Sequence, residues 1–174
     1  MSGLRVYELS RAQWVNTPLE RVFPFFERPE NLALLTPPSL DFHMLTPAPV
    51  TMEQGRIIDY TIRVLGVRLR WRSLISTYRP PHCFVDEQVL GPYSFWHHTH
   101  RFVAEGTGTR LIDQVRYALP AFLPRPLAAG VHRWHVQSAL RETFDYRRER
   151  IQRLFGSAAA LRNEMPAASL ASQP

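Results

Sequence analysis

The amino-acid sequence predicts an α+β fold in which a curved antiparallel sheet of about seven strands wraps a long C-terminal helix, with two short helices after the first strand. Three observations predict it. Apolar and polar residues alternate from Leu40 to Leu119, and turn signals interrupt the alternation at short, regular intervals. From about Leu127 to Phe155 the apolar spacing changes to three and four residues, the period of a helix. Between the first strand and this meander, threonine and proline punctuate two short helical segments.

Composition sets the frame. The chain has 174 residues, 45% apolar and 21% charged, as expected of one globular domain with one core. No apolar stretch approaches the roughly 18 residues of a membrane span. The segment Met1 to Trp14 lacks a basic stretch followed by a long apolar run, so a soluble, cytoplasmic protein is expected. Cys83 is the only cysteine, which rules out an intrachain disulfide and suits a reducing compartment; it reads as a small buried side chain. All 21 basic residues are Arg, and the net charge is +6. They are interleaved with acids, and the nearest block, Arg147, Arg148, Arg150 and Arg153, shares its helix with Glu142, Asp145 and Glu149. It reads as a solvated helix face, which argues against a nucleic-acid partner.

In chain order, Leu4 to Val15 reads as the first strand. Thr17-Pro18-Leu19-Glu20 has the form of a capping box with proline at the first helical position. The helix it opens should turn Val22, Phe23, Phe25 and Phe26 inward, kinked or shortened by Pro24, which removes a backbone donor. Pro29 opens a second short helix through Asn31 to Leu35, closed by Thr36-Pro37-Pro38. In the meander, a tight hairpin at Leu65-Gly66 pairs Val64 with Val67, Ile62 with Leu69 and Tyr60 with Trp71. One face is then apolar and aromatic, and the other is a ladder of Arg63, Arg68, Arg70 and Arg72 with Asp59. A one-residue slip would bury that ladder, so the register is strongly specified.

Further hairpins turn at Gly91-Pro92 and at Gly106-Thr107-Gly108. After Pro124-Arg125-Pro126 the long helix carries Val131, Trp134, Ser138, Phe144, Ile151 and Leu154 near one stripe and stops at Gly156. At 1.5 Å per residue it would run roughly 43 Å, enough to cross the sheet. Residues 1–156 form the expected domain, and 157–174 a disordered tail without a periodic apolar face. A twisted sheet that grips a helix without touching it everywhere leaves a concave apolar space, the usual setting for a small-molecule site.

Particular segments carry a resemblance. They are Asn31-Leu32 with Leu35-Thr36-Pro37-Pro38, Glu53-Gln54-Gly55 leading to Asp59-Tyr60, Arg70-Trp71-Arg72, and Tyr78-Arg79-Pro80-Pro81. They continue through Phe84-Val85-Asp86-Glu87-Gln88, Gly91-Pro92-Tyr93, Trp96-His97-His98-Thr99-His100-Arg101-Phe102, and Gly108-Thr109-Arg110-Leu111-Ile112-Asp113 with Val115, Tyr117 and Pro120. In this order and spacing the chain resembles the START-like, or polyketide cyclase and dehydrase-like (SRPBCC), superfamily. This is the helix-grip group that also holds the birch-pollen-allergen lipid binders, and the nearest likeness within it is to a bacterial branch of ligand-binding proteins. Pro24 departs from the pattern, standing where a helix former is expected. The resemblance implies a helix-grip fold with an internal hydrophobic cavity. The superfamily holds lipid carriers, cyclases, hydroxylase components and partner-binding proteins, so the fold does not choose the chemistry.

On the sheet, Trp96, His98, His100 and Phe102 share a face. The Gly106-Thr107-Gly108 hairpin, pairing Phe102 with Leu111, sets His100 opposite Asp113, His98 opposite Val115 and Trp96 opposite Tyr117. An odd loop at Gly91-Pro92 adds Gln88 beside Trp96, Asp86 beside His98 and Phe84 beside His100; an even loop sends Asp86 and Gln88 to the other face. Buried polar groups of this kind must pair with each other, with water or with a ligand, since each unsatisfied one costs about 1–3 kcal/mol.

Four readings fit this seam. It is a structural network that fixes strand register, or it supplies the few polar contacts that orient an apolar ligand. In a catalytic version His98 or His100, poised by Asp86 or Asp113, is a general base beside a carbonyl polarised by Tyr60 or Tyr117. In a metal version His-x-His and a carboxylate form a site, although no thiol helps and the resemblance calls for neither metal nor cofactor. The expectation is a binder of a small hydrophobic molecule (lipid, isoprenoid or aromatic polyketide-like) lined by Tyr60, Trp71, Phe84, Asp86, Gln88, Trp96, His98, His100, Asp113 and Tyr117. A cyclase, dehydratase or isomerase using His98, His100 and Asp113 is the alternative. Trp134 reads as a core side chain, and His43, His82, His132 and His135 as isolated surface or packing residues.

Overall fold

A computed structural model describes residues 4–120 and 135–156. Strand β1 (Tyr7–Val15) leads into helix α1 (Leu19–Phe26), a 3-10 turn at Pro29–Asn31, the one-turn helix α2 (Leu32–Leu35) and a second 3-10 turn at Pro38–Leu40. Strands β2 (His43–Met44), β3 (Ile57–Val64), β4 (Val67–Arg79), β5 (Cys83–Leu90), β6 (Phe95–Glu105) and β7 (Gly108–Ala118) follow, then helix α3 (Gln137–Phe155). The described strands form one antiparallel sheet in the order β1-β7-β6-β5-β4-β3-β2, so the chain's first strand closes the sheet beside its last. The expected α+β architecture of a curved seven-stranded sheet and a C-terminal helix is the observed one.

Short turns set the registers. Leu65 and Gly66 both have positive φ, at 49° and 80°, as a two-residue type I′ hairpin requires, and Val64 faces Val67, Ile62 faces Leu69 and Tyr60 faces Trp71. The turn at Gly106-Thr107 pairs Phe102 with Leu111 and carries the ladder on to Trp96 opposite Tyr117. At Gly91-Pro92 the odd register is realised, with Asp86 opposite His98 and Phe84 opposite His100. Bulges between Arg72 and Ser73 and between Ile75 and Thr77 shift the β4–β5 ladder by one residue each, the kind of irregularity that bends a sheet.

Some expectations are corrected. The first strand begins at Tyr7, not Leu4. Thr17 does not cap α1, which has no side-chain cap; its hydroxyl donates instead to the carbonyl of Phe155 at 2.8 Å, while its own carbonyl accepts from Thr109 Oγ1 at 2.7 Å. A long-range acceptor thus claims the hydroxyl that a local box would use. Pro24 sits inside α1, whose eight residues end at Phe26. Along α3, Phe144, Ile151 and Leu154 are buried as expected, together with Leu140, Arg147 and Phe155, whereas Ser138 is exposed. Arg147 therefore belongs to the inner stripe, not to a solvated face. Cys83 is only partly buried, and His43 is not isolated, since its Nε2 bonds Asp41 Oδ1 at 2.8 Å. The helical turns expected over 127–134, with Val131, His132 and Trp134, and the tail over 157–174 lie outside the described residues.

The interior has two parts. Val22, Phe23 and Phe26 of α1, Leu35, Phe84, Phe102, Leu111 and the end of α3 at Ile151, Leu154 and Phe155 form one. Trp71, Trp96, Val115 and Tyr117 pack with Leu140 and Phe144 of α3 to form the other. The polar seam lies between them. No helix among the described residues is long and apolar enough to cross a membrane.

Candidate functional site

Side chains two apart on a strand point the same way, so His98 and His100 of β6 both face the sheet's inner side. Asp86 of β5 stands opposite His98 and Asp113 of β7 opposite His100. Each carboxylate reaches both rings. His98 Nε2 donates to Asp113 Oδ1 at 3.1 Å and His100 Nε2 donates to Asp86 Oδ2 at 3.0 Å. The other two nitrogens complete the circuit, His98 Nδ1 lying 3.3 Å from Asp86 Oδ2 and His100 Nδ1 lying 2.8 Å from Asp113 Oδ1. The rings are 3.8 Å apart between centroids. Each imidazole thus shows one nitrogen to Asp86 and the other to Asp113.

Neighbours hold this ring of four in place. Trp96 Nε1 donates to Asp86 Oδ1 at 3.3 Å, leaving Oδ2 for the histidines. Phe84 stacks on His100 at 4.2 Å and Phe144 of α3 sets its edge to His98 at 5.5 Å. Arg147 Nε approaches Asp113 Oδ2 at 3.9 Å. Both histidines are 4% exposed, and in such surroundings opposite charges interact strongly. For Asp86, burial pushes the carboxyl up, but the charge of His98 and the bonds from both histidines outweigh it and hold the group below the usual range. For Asp113, burial is likewise overcome, first by the Arg147 charge and then by the two histidines. Burial alone would lower His98, yet the two carboxylates raise it.

Beyond the ring lies an aromatic cluster. Tyr60 stacks on Trp71 at 5.9 Å, Trp71 meets Trp96 edge-on at 5.1 Å, and Tyr93 lies 5.0 Å from Trp96 and 5.7 Å from Tyr117. Trp71 Nε1 donates to Ser73 Oγ at 3.1 Å. Burial, then the charge of Asp86, push the Tyr60 phenol up. A cleft of about 280 Å³ opens beside this cluster, lined by Tyr7, Glu8, Leu9, Ser10 and Arg11 of β1, Tyr117 of β7, and Gln137, Leu140 and Arg141 at the start of α3.

The structure therefore brings together His98, His100, Asp86 and Asp113, with Phe84 and Trp96 against them. Tyr60, Trp71, Trp96 and Tyr117 pack on one another, and of these Tyr117 lines the described cleft. Gln88 serves its own hairpin, its Nε2 donating to the Tyr93 carbonyl at 2.6 Å and its Oε1 accepting the Tyr93 N–H at 3.2 Å. Sequence reasoning missed Tyr7, Tyr93, Leu140 and Arg147. Continuing the 144, 151 stripe through 140 and 147 finds the last two, and the pairing of Tyr7 with Tyr117 follows once β1 is set beside β7.

No protein-family profile matches the sequence, and no curated protein matches it either. Solved structures do. The Zhui aromatase/cyclase from a Streptomyces species is similar over 89% of this chain and 98% of its own, at 14% identity and a TM-score of 0.64. A START superfamily protein from Mycobacterium smegmatis matches over 83% of this chain and 94% of its own, at 13% identity and 0.60. Norcoclaurine synthase from Thalictrum flavum matches over 95% and 100%, at 13% identity and 0.61. What the chain shares with them is the helix-grip fold.

Proposed function

We propose that this helix-grip chain binds a small, largely apolar molecule in the cleft between β1, β7 and the start of α3. The carrying observation is the cleft itself, about 280 Å³ in volume, where Tyr7, Leu9, Tyr117 and Leu140 form an aromatic and apolar part and Glu8, Ser10, Arg11, Gln137 and Arg141 a polar one. That lies at the lower edge of the roughly 300–1,000 Å³ of small-molecule sites, which favours a single aromatic system or a short isoprenoid over a two-chain lipid. The polar ends of Ser10, Arg11, Gln137 and Arg141 supply the few contacts that orient such a ligand. An aromatase/cyclase with the same fold supports an aromatic or cyclisable skeleton.

The alternative, a cyclase, dehydratase or isomerase with His98 or His100 as general base, has less support. A base needs a free nitrogen within reach of the substrate, whereas every nitrogen of these two rings faces a carboxylate and Phe84 and Phe144 flank them.

The test is a thermal-shift and native mass-spectrometry screen of the full chain with aromatic and isoprenoid compounds. A ligand at 100 times its Kd should stabilise the fold by about 2.7 kcal/mol. Gln137→Trp, which fills the cleft from its margin, should abolish the shift while leaving the ligand-free Tm near that of the parent. No retained or stabilising compound, or undiminished binding by Gln137→Trp, would overturn the reading.

A further inference from the structure

The geometry points to a divalent transition-metal site formed by Asp86, His98 and His100, with Asp113 as the shared acceptor behind both rings. It does not rest on the ligand reading above. One ligand atom from each of the three residues lies within 4.8 Å of the others. The Asp86 side presents His98 Nδ1 and His100 Nε2 at 3.3 and 3.0 Å from one carboxylate oxygen, Oδ2. Ligand atoms placed tetrahedrally at 2.0–2.1 Å from one ion stand about 3.3 Å apart, so an ion fits among these atoms with little movement.

The surroundings favour an ion over an accidental cluster. Metal-bound histidines almost always donate their other N–H to a carboxylate or carbonyl, which fixes the tautomer and the ring plane. Here the other nitrogens, His98 Nε2 and His100 Nδ1, both meet Asp113 Oδ1, at 3.1 and 2.8 Å. Asp86 is held in turn through its second oxygen by Trp96 Nε1, so Oδ2 is directed between the rings. Phe84 and Phe144 set the ring planes. Three ligands of this kind leave a fourth position for water or another donor. Imidazole with one carboxylate and no thiolate suits Zn²⁺, Fe²⁺ or Co²⁺ over Mg²⁺ or Ca²⁺. Ligation needs these two Asp86-facing nitrogens unprotonated, so any proton they carry leaves to solvent when the ion binds.

The test uses the full chain, freed of metal with a chelator and titrated with Zn²⁺ and, in parallel, Co²⁺. One equivalent should bind, the histidine ¹⁵N signals of His98 and His100 should shift while those of His43, His82 and His97 stay, and Co²⁺ should give the intense visible bands of a four-coordinate site. Asp113→Asn, which keeps all three ligands, should weaken Zn²⁺ binding about 10–100-fold, and His98→Gln should remove the cobalt bands. The cobalt spectrum and histidine signals of the parent protein need no variant to fold. Absence of uptake, shifts confined to the surface histidines, or cobalt bands unchanged in a folded His98→Gln would each overturn the site.

Discussion

Arg147 reaches inward from α3 to set its Nε 3.9 Å from Asp113 Oδ2, with both side chains largely withdrawn from solvent. Its guanidinium lies 6.0 Å from the Phe26 ring and 5.9 Å from Phe144, so this cation sits where the two halves of the core meet the polar seam. Removing one partner of a buried ion pair commonly costs about 3–5 kcal/mol. Asp113 keeps two imidazole partners and 3.9 Å is too long for a hydrogen bond, so Arg147→Met should cost less, about 1–3 kcal/mol in urea denaturation. Combined with Asp113→Asn it should cost less than the sum of the two single changes. Strict additivity would show that the pair is not coupled.

How far the sequence could be read depended on the range of each interaction. Strand registers were legible because two-residue turns and one-sided burial leave one solution, and from them came His100 opposite Asp113. The crossed contacts, Asp86 to His100 and Asp113 to His98, were not, since they depend on sheet twist and on where each carboxylate turns. Arg147 falls on the stripe of Leu140, Phe144, Ile151 and Leu154, so its position marks it as buried while its charge points to solvent. The alternation of the strands places Tyr60, Trp71, Trp96 and Tyr117 on one face, and there they pack together. That Tyr60, Trp71 and Trp96 spend their faces on each other, leaving the cleft at Tyr7 and Tyr117, follows from side-chain packing that no alternation pattern encodes.

Thr17 gives the sharpest contrast between a local and a long-range role. If its hydroxyl capped α1, Thr17→Asp would be neutral or stabilising, because aspartate is a good N-cap. Its partner is instead the Phe155 carbonyl, one of the last carbonyls of α3 that lack an intrahelical donor. A carboxylate cannot donate to it and would bring negative charge to the negative end of the helix. Thr17→Asp should therefore destabilise by more than the roughly 1–3 kcal/mol of an unsatisfied buried acceptor. Thr17→Ser, which keeps the donor, should stay within about 1 kcal/mol of the parent, the worth of a methyl group. Chemical denaturation of the two variants decides between the roles.

Alkaline stability should depend on Tyr78, whose hydroxyl donates to Glu27 Oε2 at 2.9 Å and ties β4 to the end of α1. Burial first, then the bond to Glu27 and its charge, push the phenol from 10.0 up to about 12. A folded-state value above the unfolded one gives stability that is fully present below pH about 10 and lost as the pH rises through about 12. Urea midpoints between pH 9 and 12 should fall less steeply for Tyr78→Phe than for the parent protein. Some slope should remain, because burial raises Tyr60 and Tyr93 in the same direction. Identical slopes would remove Tyr78 from the alkaline limb.

The β3–β4 hairpin leaves room for improvement at Leu65. Its φ of 49° is left-handed, a region that costs a branched apolar residue strain, and its side chain is 84% exposed. Asparagine tolerates that conformation and precedes glycine in the most favoured two-residue turn, here completed by Gly66 at φ 80°. Leu65→Asn gives up almost no burial, so the backbone term should dominate and the variant should be more stable by about 0.5–1 kcal/mol. Gly66→Ala tests the same turn from the other side. An added Cβ meets nothing within 4 Å there, so any loss of stability must come from the positive φ alone. A hairpin governed by this backbone geometry gives opposite signs for the two substitutions in thermal denaturation; equal signs would mean that the turn does not govern the register.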